Sequence, residues 1–124
     1  MNRQSPTVWI VLTALLHFGF MLGELLPVDG PKIMDTVLRR RNLTLETSAV
    51  RPLVQTIVRN AAVYNGMVAA ALLAAAYAGQ GAAPVTTTLL VGVMAAGIVG
   101  MSLSPLTIVQ TVCGALTLWF LHRA

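Results

Sequence analysis

Two side chains in the first apolar run of this chain exchange protons: His17 and Glu24, in VWIVLTALLHFGFMLGELL. If the run is helical, a separation of seven residues returns to nearly the same azimuth, so imidazole and carboxyl share a face two turns apart. A second run opens with NAAVYNGMVAA, where Asn60, Tyr64 and Asn65 supply two amides and a phenol ahead of Gly66, and the last run carries Gln110. A carboxyl and an imidazole are the parts of general acid–base chemistry, and amides and a phenol orient an oxygen-bearing ligand or a developing charge. Glu24 and His17 are therefore the catalytic candidates, and Asn60, Tyr64, Asn65 and Gln110 the ligand-binding ones. A metal is poorly served, since no second histidine stands at ligand spacing, and no cofactor is implied.

The elements that must hold these groups are apolar. Of 124 residues, 56% are hydrophobic and 10% charged, with a mean hydropathy of +0.78; a soluble domain has about 25% charged residues. The composition reads as a small polytopic membrane protein. Four runs, at about 7–26, 60–79, 85–103 and 106–121, approach the length that crosses a hydrocarbon core. Pro27 with Asp29-Gly30-Pro31 closes the first, Gly79 to Pro84 makes a tight uncharged connection, and Ser104-Pro105 turns the chain into the last. The expected fold is all-α, a four-helix transmembrane bundle forming one integral membrane domain over residues 1–124. A variant has three spans and an interfacial segment, because the fourth run is short and contains Gln110. The first run is longer than a signal-peptide core, contains His17 and Glu24 and lacks a small-residue cleavage site, so it reads as a retained span.

The connection 27–59 holds six of the eight Lys and Arg residues, Lys32, Arg39, Arg40, Arg41, Arg51 and Arg59. Ile33, Met34, Val37 and Leu38 recur at helical spacing, which fits a short interfacial helix over 32–41 or a solvated loop whose arginines only set orientation. From Pro52 a helical lead-in runs into the second span. The positive-inside rule puts this connection in the cytoplasm and both termini outside; Trp9, Tyr77, Trp119 and Phe120 then fall at the opposite interface. The same rule accounts for the net charge of +4, so no nucleic-acid partner is implied. Cys113 is the sole cysteine, which excludes an intramolecular disulfide and a thiolate metal cluster.

Depth along the spans, at about 1.5 Å per residue, brings Glu24, His17, Asn60, Tyr64, Asn65 and Gln110 into one cytoplasmic half. Gly92, Ala96 and Gly100, with Gly97 beside them, form a small-residue stripe on the third span that lets helices approach; Gly97 and Gly100 are the helix-packing candidates in that half. Polar groups are costly in hydrocarbon and should face each other or a wet cavity. Each also has a plainer role: Asn65 and Gln110 as interhelical hydrogen-bond glue, Tyr64 as a satisfied core phenol, Glu24 as a snorkelling group or a partner of Arg59 or Lys32, and His17 as a neutral ring bonded to a carbonyl.

These same segments, ALLHFGFMLGELL, NAAVYNGMVAA, AAGIVGM and IVQTVCGALTL, resemble in order and spacing a widespread bacterial family of about 120-residue, four-span membrane proteins catalogued as a domain of unknown function. The likeness covers His17 to Leu118. Its marks correspond here to His17, Glu24, Tyr64-Asn65-Gly66, Ala96-Gly97 with Gly100, and Val109-Gln110. Two positions depart: Asn60-Ala61-Ala62 stands where the family often has N-x-G, and Leu25-Leu26 where an aromatic often follows the Glu. The resemblance implies a bacterial inner-membrane location and the same architecture, and it points to the same residues without an activity.

Three functional expectations follow. In the first, the polar pocket binds or converts a lipophilic small molecule, with Glu24 as acid or base and Asn65, Gln110 and Tyr64 orienting it, in isomerisation, cyclisation or epoxide opening. In the second, a homodimer acts as a proton-coupled small exporter through the first-span carboxylate. In the third, the chain is a structural or accessory subunit whose polar cluster fixes helix packing. The lipid bilayer is a partner in all three.

Overall fold

The computed structural model describes residues 6–25, 39, 47–101 and 105–123. Among them the chain is all-helical and no strand occurs. Helix α1 spans Pro6–Leu25, α2 spans Thr47–Ala78, a single 3-10 turn fills Gly79–Ala82, α3 spans Ala83–Gly100 and α4 spans Thr107–Arg123. Pro6 begins α1, and Pro84 sits in the first turn of α3, where a missing N–H costs nothing. Gly79 closes α2 at φ 68°, a conformation that suits glycine, and so permits the tight reversal into α3.

Helix α2 starts earlier than expected. Pro52 lies inside it rather than opening it; so near the N-terminus the ring removes one backbone hydrogen bond while most of the first turn has none to lose. The expected interfacial helix over 32–41 lies outside the described residues apart from Arg39. Helix α3 forms despite its Thr86-Thr87-Thr88 run: the Thr86 and Thr88 hydroxyls donate to the carbonyls of Ala82 and Pro84, one turn back, at 2.9 and 3.1 Å.

Helix α1 packs chiefly on α2 and also on α4, while α3 packs chiefly on α4 and only lightly on α2. Each helix offers a single narrow stripe to the others. The buried positions are Ile10, Thr13, Ala14 and His17 on α1; Thr86, Leu90, Val93 and Gly97 on α3; and Gln110, Gly114 and Thr117 on α4. On α2 they are Ala62, Ala69, Leu72 and Ala75. These are three- and four-residue steps, the spacing of a helix seam.

The seam mixes alanines, threonines and His17 with Ile10, Leu72, Leu90 and Val93, while most of the large apolar side chains lie outside. Leu12, Leu15, Phe18 and Leu22 on α1, Val63, Met67 and Leu73 on α2, Val91, Ile98 and Val99 on α3 and Ile108, Val112 and Leu116 on α4 are all exposed. A soluble helix buries its large apolar side chains and hides patches of this extent. Two helical stretches, Pro6–Leu25 and Pro52–Gly100, are long and apolar enough to cross a membrane, and in each only 22% of the apolar window is buried. The second stretch includes the 3-10 turn.

Glycines set the α3–α4 spacing. A Cβ on Gly97 would stand 2.9 Å from the Thr107 carbonyl oxygen, one on Gly100 2.9 Å from Thr107 Cγ2 and one on Gly114 2.8 Å from Met94 Cγ. The close face of α3 is therefore Val93, Gly97 and Gly100. Gly92 meets nothing within 4 Å and Ala96 is exposed, because they are turned away from this seam.

Candidate functional site

His17, Asn65 and Glu24 form one hydrogen-bonded chain across the α1–α2 seam. Asn65 Nδ2 donates to Glu24 Oε2 at 2.8 Å, and His17 Nδ1 lies 2.9 Å from Asn65 Oδ1. With the amide nitrogen committed to the carboxylate, Oδ1 faces the imidazole and accepts, so His17 Nδ1 carries the proton. Nε2 is then the ring's lone-pair nitrogen. It is buried and has no hydrogen-bond partner among the described residues.

Local structure brings these three atoms together. His17 and Glu24 share a face of α1 through their seven-residue spacing, and Asn65, on the antiparallel α2, lies between their levels. His17 is 1% exposed, while Asn65 and Glu24 are half-buried, so the chain leads from the end of α1 inward to the seam. Phe20 stands edge-on to the imidazole with ring centres 6.0 Å apart and braces its plane. Gly66, next to Asn65, gives room to the Met21 side chain; a Cβ there would stand 2.7 Å from the sulfur.

The other expected ligand-binding residues lie elsewhere. Asn60 is exposed, and Tyr64, at 67% exposure, faces away from the seam rather than into it. Five residues on a helix turn through about 500°, so Asn60 and Asn65 point in directions about 140° apart and cannot both face α1. Gln110 is buried but is spent on α3, donating through Nε2 to the Val93 carbonyl at 3.2 Å. Thr111 adds a parallel bond to the Met94 carbonyl at 3.3 Å.

A second polar group sits further along α1, where it meets α4. Thr13 and Thr117 place their hydroxyl oxygens 2.7 Å apart, and both reach the Trp9 carbonyl, at 3.0 and 3.2 Å. The single Thr117 hydroxyl proton has a competing acceptor in the Cys113 carbonyl at 2.7 Å. Beyond it Trp9 stacks on Phe120 at 4.8 Å, and the Arg123 guanidinium lies 3.6 Å over the Trp119 ring. Threonines inside apolar runs were the only sequence signal for this group.

Two cavities open near this far end. One of about 160 Å³ is lined by Ile10, Ala75, Thr86 and Leu121 among others, and one of about 450 Å³ by Met94, Leu118, Trp119 and Arg123 among others. Neither is lined by His17, Asn65 or Glu24.

A family model described as a protein of unknown function, DUF1304, matches residues 11–122. The chain belongs to the DUF1304 family. The matched stretch contains His17, Glu24, Asn65 and Gln110 and begins after Trp9. No curated protein and no solved structure matches the chain.

Proposed function

We propose that this DUF1304 chain is an integral membrane protein of four transmembrane helices, and that its His17–Asn65–Glu24 chain binds a lipophilic small molecule and acts on it as an acid–base group. The large apolar exterior, the close glycine contacts and the interhelical hydrogen bonds support the membrane reading, since helices in lipid associate through small residues and such bonds. The basic connection 27–59 faces the cytoplasm and both termini lie outside, in the inner membrane of a bacterium.

The observation that carries the chemistry is the unpartnered Nε2 of a fully buried His17, backed on its other nitrogen by an amide and a carboxylate. A purely structural histidine has both nitrogens satisfied, because an orphaned buried polar atom costs about 1–3 kcal/mol. A ring held in one tautomer and oriented from behind is how general bases are prepared. The substrate class is a terpenoid- or quinone-like compound entering from the bilayer, and the reactions that need only such a group are isomerisation, cyclisation and epoxide opening.

The alternative of a proton-coupled exporter draws on a different observation. Gly92 and Ala96 remain exposed on α3, leaving a small-residue face for the second copy such an exporter requires. The two readings separate on one experiment: native mass spectrometry and lipid extraction of purified wild type beside Glu24→Gln and Asn65→Ala. A defined small molecule that accompanies the wild type and is lost in both variants upholds the pocket. An empty wild type whose Glu24-dependent expression protects cells from lipophilic cations overturns it in favour of export, and variants that lose only stability overturn both.

A further inference from the structure

An amide has a donor and an acceptor of nearly equal size on one flat frame, so a half-turn of its terminal bond exchanges them without moving the backbone. Asn65 sits where such a half-turn matters, with Glu24 Oε2 2.8 Å from its nitrogen and His17 Nδ1 2.9 Å from its oxygen. After the half-turn, Oδ1 faces the Glu24 carboxyl and Nδ2 faces the imidazole. Two oxygens at that distance repel unless the carboxyl carries a proton and donates it. An N–H aimed at Nδ1 likewise requires a lone pair there, which puts the proton of a neutral imidazole on Nε2.

We infer that Asn65 ties the protonation of Glu24 to the tautomer of His17: an ionised Glu24 holds the amide in the arrangement where the buried Nε2 accepts a hydrogen bond, and only a protonated Glu24 releases it to the arrangement where Nε2 donates one. The two states differ by a single proton, carried by Glu24, and His17 is neutral in both. The amide transmits orientation and never carries the proton: the ring releases one proton from Nδ1 and takes one up at Nε2, both exchanged with water or with the hydroxyl of a bound alcohol, so the imidazole stays neutral. Phe20, edge-on to the ring at 6.0 Å, opposes the competing route in which the imidazole itself turns over. Asn65 is thus a positioning residue.

The ionisable surroundings leave the pair to itself among the described residues. Glu24 and His17 are the titratable groups of α1; α2 brings Arg51 near its start, Arg59 and Tyr64, the latter two exposed, and Tyr77 at its far end. Helix α4 brings Cys113, with His122 and Arg123 at the far end, and α3 carries none.

This inference rests on the ligand reading above for its chemical consequence. An accepting Nε2 takes a lipophilic alcohol or phenol, and a donating Nε2 takes a ketone or quinone oxygen. One site then selects between the two by the state of Glu24.

The test is nuclear magnetic resonance of the full chain in phosphatidylcholine bilayers, with ring-15N histidine and carboxyl-13C glutamate, using His122→Gln and Glu46→Gln to assign the signals. As the Glu24 carboxyl titrates, the protonated nitrogen of His17 is expected to change from Nδ1 to Nε2 over the same pH range. In Asn65→Leu the two changes are expected to separate. Titration of Glu24 with the His17 proton staying on Nδ1, or a doubly protonated His17, overturns the coupling in the wild type alone, whether or not the variant folds. A change of tautomer that persists in Asn65→Leu overturns it as well.

Added 1-dodecanol is expected to perturb Nε2 only while Glu24 is ionised, and 2-dodecanone only once it is protonated. A clean tautomer change with neither probe bound upholds the coupling and overturns the ligand reading.

Discussion

Thr13 and Thr117 are 104 positions apart in the chain, yet their hydroxyl oxygens are 2.7 Å apart and share one carbonyl, that of Trp9. This contact closes α1 against α4. Substituting either residue by Val is expected to cost about 1 kcal/mol, and the double variant less than the sum of the two, because both remove the same bond. Unfolding in detergent followed by a double-mutant cycle measures it; strict additivity would show that each hydroxyl is satisfied by its own helix.

The two glycine environments on α3 give opposite expectations. Gly97→Ala drives a methyl onto Thr107 and Thr111 and should destabilise by about 1–3 kcal/mol, the usual range for overpacking. Gly92→Ala enters open space and should be neutral or stabilising by up to about 1 kcal/mol from helix propensity. Thermal unfolding of the two variants side by side decides whether α3 meets α4 through Gly97.

Among the polar residues, only the members of the hydrogen-bonded chain should affect a bound molecule. Asn65→Ala leaves both His17 Nδ1 and Glu24 Oε2 without their partner, so it should cost about 1–3 kcal/mol of stability and release the small molecule proposed to accompany the wild type. Asn60→Ala and Tyr64→Phe alter exposed side chains and should stay within about 0.5 kcal/mol of wild type, with the ligand retained. Loss of ligand in Tyr64→Phe, read by mass spectrometry, would place the site on the outer face of α2.

Gln110→Leu separates glue from site. It removes the bond to the Val93 carbonyl, and interhelical bonds of this kind average about 0.6 kcal/mol in membranes. A small loss of stability with full ligand occupancy is expected. An empty pocket in a stable variant would bring Gln110 back among the ligand contacts.

The sequence carried the shared face of His17 and Glu24, because a seven-residue spacing on a helix leaves little freedom. It also carried the reversal at Gly79, where a glycine-rich, proline-closed connection has few alternatives. What periodicity does not encode is which way a helix faces when it is apolar all round. Asn60, Tyr64 and Asn65 are equivalent by depth, and only the packing of α2 on α1 turns Asn65 toward His17 and Glu24. The same blindness merged Gly92 and Ala96 with Gly97 and Gly100, which lie on adjacent faces. A lone threonine in an apolar run is ordinary, and the significance of Thr13 and Thr117 comes from their pairing across 104 positions.

That distant pairing also dates the assembly. A ribosome adding about 5–20 residues per second delivers Thr117 some 5–20 s after Thr13, and α1 must wait for α4 through that interval. The Trp9 carbonyl, one turn back on α1, already accepts the Thr13 hydroxyl at 3.0 Å, so the waiting helix has no stranded donor at that position. His17 has no such local partner and depends on Asn65, which emerges about half as long after it. The His17–Asn65–Glu24 chain needs only the first two helices, and both are synthesised before the last one.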